Sequence, residues 1–170
     1  LKFPNLITST NAWTVRNDVL YRGVISALGN APLAPGFGAD TDSFGPELGF
    51  GHVVGWYHNE PVLIIKTSIG NRALGWDFLP PGSTRYTYGS TVYAGYGDYD
   101  DYPSGGTAPV TGNWYAGKQY DDCFSAAKEV LAKFDEKYPQ WKGRGYEIAG
   151  FGWWQGHKDG GEQGKDPAGV

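Results

Sequence analysis

The chain has 170 residues, of which 27 are glycine and none is methionine, while 40% are hydrophobic and 16% are aromatic. This composition excludes a disordered chain, and it excludes a collagen-like chain because the glycines keep no triplet period. The formal net charge of -4 and the pI near 5.3 argue against nucleic acid as a partner. The length favours a single domain over residues 1–170.

The sequence also leads to expectations about processing, membrane insertion, disulfides and metal binding. The chain opens with Leu1 and lacks methionine, so we expect a processed or excised piece of a longer protein. No apolar run of about 18 residues occurs, so no membrane span is predicted. The lone Cys123 forms no internal disulfide and belongs to no cluster with metal-site spacing. We therefore predict no metal and no cofactor.

The first half of the chain has the order of an α/β unit. One or two short strands are expected within residues 1–45, before a helix. After that helix, residues 62–67 (VLIIKT) form a continuous apolar and β-branched run. Such a run is typical of a strand buried on both faces of a parallel sheet.

The helix between these strands is predicted from Pro46 to Tyr57, because proline and an acidic residue suit the first turn. Gly51 and Gly55 share one side and would let the helix lie close against a sheet. The predicted apolar face has the spacing i, i+3, i+4, i+7 and consists of Phe50, Val53, Val54 and Tyr57.

The second half of the chain begins with an unusual segment. Residues 84–120 hold eight of the twelve tyrosines without clear periodicity, which predicts a Tyr- and Gly-rich insertion loop. A helix is predicted over 121–138, ended by Pro139, with an apolar face of Cys123, Ala127, Val130, Leu131, Phe134 and Tyr138. Residues 145–154 (GYEIAGFGWW) predict a second buried strand.

Both predicted parallel strands are followed by glycine and amide side chains. Gly70 and Asn71 follow the first, and Gln155 and Gly156 follow the second. Ligands of open α/β sheets bind at the carboxyl ends of strands, and backbone N–H groups with amide side chains can form an oxyanion hole. Glycine after a strand is also an ordinary turn residue, so this pattern alone leaves both interpretations open.

Three ordered segments carry a more specific signal: residues 44–54 (FGPELGFGHVV), 62–71 (VLIIKTSIGN) and 145–159 (GYEIAGFGWWQGHKD). Together they resemble the sialic acid-specific acetylesterase domain, a carbohydrate esterase family of the SGNH hydrolases. The resemblance implies a three-layer α/β/α sandwich with a flavodoxin-like parallel sheet, incomplete in this chain because only the middle of the domain is matched. It also implies removal of acetyl groups from sugars such as sialic acid or xylan, in a secreted or periplasmic location.

The resemblance assigns roles to individual positions. Gly70 matches the glycine whose backbone N–H serves the oxyanion hole, and Gln155 matches the glutamine whose amide is the other donor. Asn71 stands where many relatives have a second glycine, and it is a further candidate for the hole.

His157 and Asp159, in the same block as Gln155, are candidates for substrate binding. Trp154 is a further candidate because sugars stack on aromatic rings, and packing in the core is the alternative for Trp153 and Trp154.

The family's nucleophile lies in a Gly-Gln-Ser-Asn block and its base in an Asp-x-x-His pattern, and neither occurs here. We therefore expect both groups to lie outside these 170 residues, and the chain alone to be inactive. The alternative is a non-catalytic α/β module that binds glycans or self-associates through its aromatic surface. A glycine-rich structural protein is a third possibility, although no repeat of fixed period occurs.

Two other patterns have ordinary explanations. His52 and His58 do not share a helix face, so core or surface positions fit them better than metal ligation. Asp40 and Asp42 lack the later acidic ligand of a calcium loop, which favours turn capping.

Overall fold

The computed structural model describes residues 4–160 and shows a mixture of helices and small sheets, which is α/β in the broad sense. The chain divides into two compact units, Leu1–Ser68 and Ile69–Val170. Each unit contains one three-stranded sheet. The single-domain organisation stays a prediction.

The sheet of the first unit consists of β1 (Arg16–Gly23), β2 (Gly29–Leu33) and β3 (Val62–Lys66) in the order β2-β1-β3. Strand β1 runs antiparallel to β2 and parallel to β3. The expected early strands and the strand after the helix are therefore confirmed. The expectation that β3 is buried on both faces was wrong: its residues are half-buried, since β3 lies at the edge of the described sheet.

Helix α1 covers Pro46–Tyr57, as predicted, but it buries a different face. Phe50 and Tyr57 of the predicted apolar face are 56% and 85% exposed. The buried side instead carries Leu48, Gly51 and Gly55.

The two glycines explain why α1 turns this side to the sheet. A Cβ on Gly51 would overlap Leu33 Cδ2, and a Cβ on Gly55 would lie 2.5 Å from Val19 Cγ2. The backbone of α1 therefore occupies the space that side chains would otherwise fill. The predicted close approach through the glycines is confirmed, and the predicted apolar face is not.

The core of the first unit consists of Val19, Tyr21, Leu33 and Leu48, with the Tyr21 ring stacked 4.1 Å from Phe37. A buried ion pair holds the start of α1 beside the end of β3. Glu47 Oε1 accepts from Lys66 Nζ at 3.1 Å and from the backbone N–H of Gly45 at 3.0 Å. Glu47 thus accepts a hydrogen bond at the start of α1 and also pairs with the last residue of β3.

The sheet of the second unit lies inside the predicted insertion loop, residues 84–120. Its antiparallel strands are β4 (Tyr86–Tyr88), β5 (Thr91–Tyr93) and β6 (Tyr102–Pro103). Beyond the strands, the hydroxyls of Tyr96 and Tyr115 donate to the Asp121 carboxylate at 2.8–2.9 Å. This carboxylate raises the pKa of Tyr115 to about 12. The tyrosine-rich segment is therefore tied to the helix that follows it.

The predicted helix over 121–138 is observed as α3 (Lys118–Ala132) and α4 (Phe134–Lys137), interrupted at Lys133. Val130, Phe134 and Tyr138 of the predicted face are buried. Among the helices of residues 4–160, none is long and apolar enough to cross a membrane.

The second predicted buried strand does not form. Residues 145–154 have no regular secondary structure, and Ile148, Phe151 and Trp154 are exposed. A strand requires a neighbour for its backbone hydrogen bonds, and within the described range no strand pairs with this segment. The apolar composition was therefore insufficient to make a strand.

Candidate functional site

The candidate site begins in the loop after Gly70, where a short helix, α2 (Leu74–Asp77), is organised by a buried carboxylate. Asp77 Oδ2 accepts from the backbone N–H of Ala73 at 2.6 Å. Asp77 Oδ1 lies 3.6 Å from Arg72 Nη1. The Asp77 carboxylate thus stabilises the start of α2 and offsets the positive charge of Arg72.

The loop and helix α2 form the first side of the site, and the segment around Gly117 packs against α2 as its second side. The φ of Gly117 is +91°, and its backbone N–H donates to the carbonyl of Trp76 at 2.8 Å. A Cβ there would lie 2.6 Å from the carbonyl oxygen of Leu79, so a side chain would prevent this approach. The adjacent Trp114 places its ring under Arg72, with Arg72 Cζ 3.8 Å from the ring centroid.

The third side comes from residues 155–159, which two hydrogen bonds hold on the same loop. Gln155 Nε2 donates to the carbonyl of Arg72 at 2.8 Å, across 83 residues of sequence. The backbone N–H of Leu74 donates to Asp159 Oδ1 at 2.6 Å, across 85 residues. The segments that follow the two predicted strands therefore meet, although the second strand is absent.

These three sides enclose an open cavity of about 290 Å³. Its wall combines two tryptophans, two cations, one carboxylate and two smaller side chains: Asn71, Arg72, Ala73, Trp76, Asp77, Trp114 and Lys158. Such a cavity is at the small end for a ligand site and can hold one sugar-sized molecule.

Three buried polar atoms around the cavity have no hydrogen-bond partner among residues 4–160: Arg72 Nε, Trp114 Nε1 and Gln155 Oε1. Buried polar atoms are paired in most proteins, by protein groups, ordered water or a ligand. Arg72 and Trp114 line the cavity, and Gln155 is bound to the carbonyl of Arg72.

The predicted oxyanion residues have different surroundings. Gly70 is exposed, and its backbone N–H donates no hydrogen bond within the described part of the chain. Asn71 lines the cavity with a φ of +65°, a left-handed conformation that asparagine tolerates better than most residues. Gln155 is bound through its amide nitrogen, which leaves its second N–H for another acceptor.

The predicted substrate-binding residues lie outside the cavity wall. Trp154 is 87% exposed, and His157 is also exposed. Asp159 uses one carboxylate oxygen on the Leu74 N–H, which makes it a support for α2 in this structure.

Most of the residues that form the wall were not predicted from the sequence. Arg72 and Trp76 follow the predicted oxyanion glycine, and their position after a strand was an available signal. Lys158 likewise follows the second predicted strand and lies between the predicted His157 and Asp159. Trp114 carried no such signal, because it lies in the tyrosine-rich segment.

No protein-family model matches the chain, and no significant match was found among curated proteins or solved structures. Over the described range, no group of three or more His, Cys, Asp or Glu side chains could hold a metal ion.

Proposed function

We propose that the chain forms the oxyanion-binding and sugar-binding part of a carbohydrate O-acetylesterase. The observation that carries the proposal is the convergence of residues 70–77 and 155–159, through the bonds of Gln155 to Arg72 and of Leu74 to Asp159. The first segment begins with Gly70 and Asn71 and the second contains Gln155, the positions that the resemblance assigns to the oxyanion hole.

In this proposal, the backbone N–H of Gly70 and the second amide N–H of Gln155 bind the oxyanion of a tetrahedral intermediate. An oxyanion is stabilised by donors that are already oriented and have no competing acceptor. The N–H of Gly70 has no acceptor in the described structure, which supports this role. Trp76 and Trp114 offer flat apolar surfaces for a sugar ring.

The serine nucleophile and the histidine base come, in this proposal, from sequence outside these residues. The serine attacks the acetyl carbonyl, the sugar hydroxyl leaves, and water then cleaves the acetyl-serine ester. The parallel β1–β3 pair, with α1 packed on it, supports the flavodoxin-like three-layer sandwich that this family implies.

The test is hydrolysis of 4-nitrophenyl acetate by the full-length product of the gene. We expect Gln155→Ala to lower kcat/KM about 100-fold, because the loss of one oxyanion donor costs about 3 kcal/mol. Gln140→Ala removes an exposed glutamine away from the site and is the matched control. Unchanged turnover of Gln155→Ala would refute the proposed role.

The 170-residue chain itself supplies a second test. We expect no esterase activity from it, because the sequence contains neither the Gly-Gln-Ser-Asn block nor the Asp-x-x-His pattern. Measurable turnover by the purified chain would show that the nucleophile lies within it.

A non-catalytic glycan-binding module is a second candidate, favoured by the tyrosine-rich sheet. Tyr86 and Tyr88 are exposed on β4, and the rings of Tyr86 and Tyr93 stack at 5.0 Å. Aromatic surfaces of this kind can bind sugars without any reaction. Sugar binding by a full-length product that hydrolyses no acetyl ester would favour this candidate over the esterase.

A further inference from the structure

One side of helix α1 carries apolar side chains that remain exposed. This side, the outer face of α1, consists of Gly49, Phe50, Val53, Trp56 and Tyr57. The sheet contacts the other side of the helix, through Gly51 and Gly55. Residues three and four apart are neighbours on a helix, so the outer face is one continuous patch. Contiguous exposed apolar patches mark interaction surfaces, whereas single exposed apolar residues do not.

The outer face has the area of a small protein–protein interface. The exposed fractions of its four larger residues range from 52% for Val53 to 85% for Tyr57. A large aromatic side chain has about 150–250 Å² of surface, so the patch offers roughly 500 Å². Paired with a second copy, it would bury about 1,000 Å², at the low end of specific interfaces. The area therefore fits a weak and reversible association.

The outer face also carries no charge, among residues 46–57, all of which the structure describes. The acidic and basic residues of α1 are Glu47 and His52, and both are buried. A two-fold axis brings the same patch of both copies together, so like charges on that patch would repel each other. The chain has a formal net charge of -4, which opposes self-association through its charged surfaces. The outer face avoids this repulsion.

The spacing of the outer face favours a second copy over an unrelated partner, because its five positions are symmetric about Val53. In an antiparallel pair of α1 helices with the axis at Val53, Phe50 lies opposite Trp56 of the second copy. Gly49 then lies opposite Tyr57 of the second copy. A Cβ at Gly49 would have nothing within 4 Å, so this glycine leaves an open recess. The recess thus meets the most exposed ring of the face, as interlocking helices require.

We propose that the outer face of α1 is a homodimer interface, in which two copies pair their α1 helices antiparallel across a two-fold axis at Val53. The proposal is independent of the esterase and of the cavity beside α2, because every residue that carries it belongs to the first unit. We expect a dissociation constant of about 50 µM, since even interfaces of standard size can be only micromolar. At about 2 µM the protein is then almost entirely monomeric by mass action, and unfolding at that concentration involves the monomer.

The test is analytical ultracentrifugation of the purified 170-residue chain and of the full-length gene product, from about 2 µM to about 200 µM, a range that spans the expected dissociation constant. We expect the average mass to rise from monomer towards dimer. Val53→Glu places two carboxylates at the axis, and we expect it to weaken association at least about tenfold. Val110→Glu is the matched control, because Val110 is 80% exposed and lies outside α1.

A pair of opposite charges tests the position of the axis. We expect Val53→Lys alone to weaken association as Val53→Glu does, because two ammonium groups then meet. An equimolar mixture of the two variants should associate within about threefold of the wild type, since residue 53 of one copy faces residue 53 of the other. Damage to α1 itself would not be rescued by mixing, and circular dichroism verifies that both variants are folded.

Several results would overturn the proposal. They are a monomer at every concentration, association unchanged by Val53→Glu, and a mixture of the two charged variants that stays monomeric. Association of the 170-residue chain but not of the full-length product would show that the rest of the parent protein covers the outer face. Binding of a monomer to phosphatidylcholine vesicles, abolished by Val53→Glu, would assign the face to a lipid surface instead.

Discussion

Helices α1 and α3 were predicted by the same reasoning, from apolar residues spaced for one helical face, yet they bury different kinds of surface. In α3 the predicted Val130 is 2% exposed. In α1 the predicted Phe50 and Tyr57 are exposed, and glycines contact the sheet. The spacing of apolar residues thus predicts where a helix forms. How closely the helix backbone approaches the sheet decides which of its faces is buried.

The physical reason lies in the side chains that the sheet presents to α1. Leu33, Ile64 and Val19 project into the space where a Cβ on Gly51 would stand. A glycine face lets these side chains reach the helix backbone, so the sheet supplies most of the apolar volume of this contact. In α3 the helix itself contributes the buried apolar side chain, so the spacing of its apolar residues predicts the buried face.

The sharpest test of this comparison is Gly51→Val. Valine would place three carbon atoms where Leu33 and Ile64 already pack, and we expect a loss of about 3 kcal/mol in the free energy of unfolding. Gly49→Val is the matched control on the same helix, because a Cβ at Gly49 has nothing within 4 Å. Chemical denaturation measures both variants.

We expect the control Gly49→Val to be neutral or slightly stabilising, since valine has a higher helix propensity than glycine. Equal destabilisation of the two variants would show that the glycine face of α1 is not its packed face.

The second test makes the same substitution on both helices. Val130→Ala removes two buried methyl groups from α3, and we expect a loss of about 2 kcal/mol. Val53→Ala changes the predicted but half-exposed face of α1, and we expect an effect within about 0.5 kcal/mol. Thermal unfolding compares the two, and a larger effect at Val53 would reverse the assignment of faces.

The smallest expected effect concerns pH and the buried His52 of α1. Burial and the nearby Arg16 lower the pKa of His52 below its ordinary value of 6.5, although Asp18 acts in the opposite direction. The unfolded chain therefore binds a proton more readily than the folded chain. Stability is retained above about pH 6.5 and is lost as the pH falls below that value.

His52→Gln should remove this part of the pH dependence, measured by urea denaturation between pH 7.5 and pH 5.5, an interval chosen to span the ordinary histidine pKa of about 6.5. His58→Gln is the control, because His58 is exposed just after the end of α1. A wild-type protein whose stability does not fall with acid, or a His52 variant with the same fall, would contradict the prediction.

Much of the first unit could be predicted from sequence. The bounds of α1 followed from Pro46 at its start, and β3 followed from its β-branched run. The same composition failed at residues 145–154, where Ile148 and Phe151 remain exposed. A strand depends on a partner for its backbone hydrogen bonds, and composition does not report whether a partner is present.

The candidate site, like the fold, was predicted from the sequence only in part. Asn71 and Gln155 were named from their positions after predicted strands, and the structure brings their segments together. Trp114 was not named, because its contribution depends on contacts across tens of residues. Its role in binding stays a prediction, as do those of Gly70 and Gln155.

The sequence by itself determined where α1, α3 and β3 lie, because helix termini and β-branched runs depend on neighbouring residues. It also pointed to Asn71 and Gln155, whose segments meet beside the cavity. The tertiary structure decided which face of α1 is buried and which side chains surround one cavity. Both depend on the volume and hydrogen bonds of residues distant in sequence, and local patterns carry no measure of either.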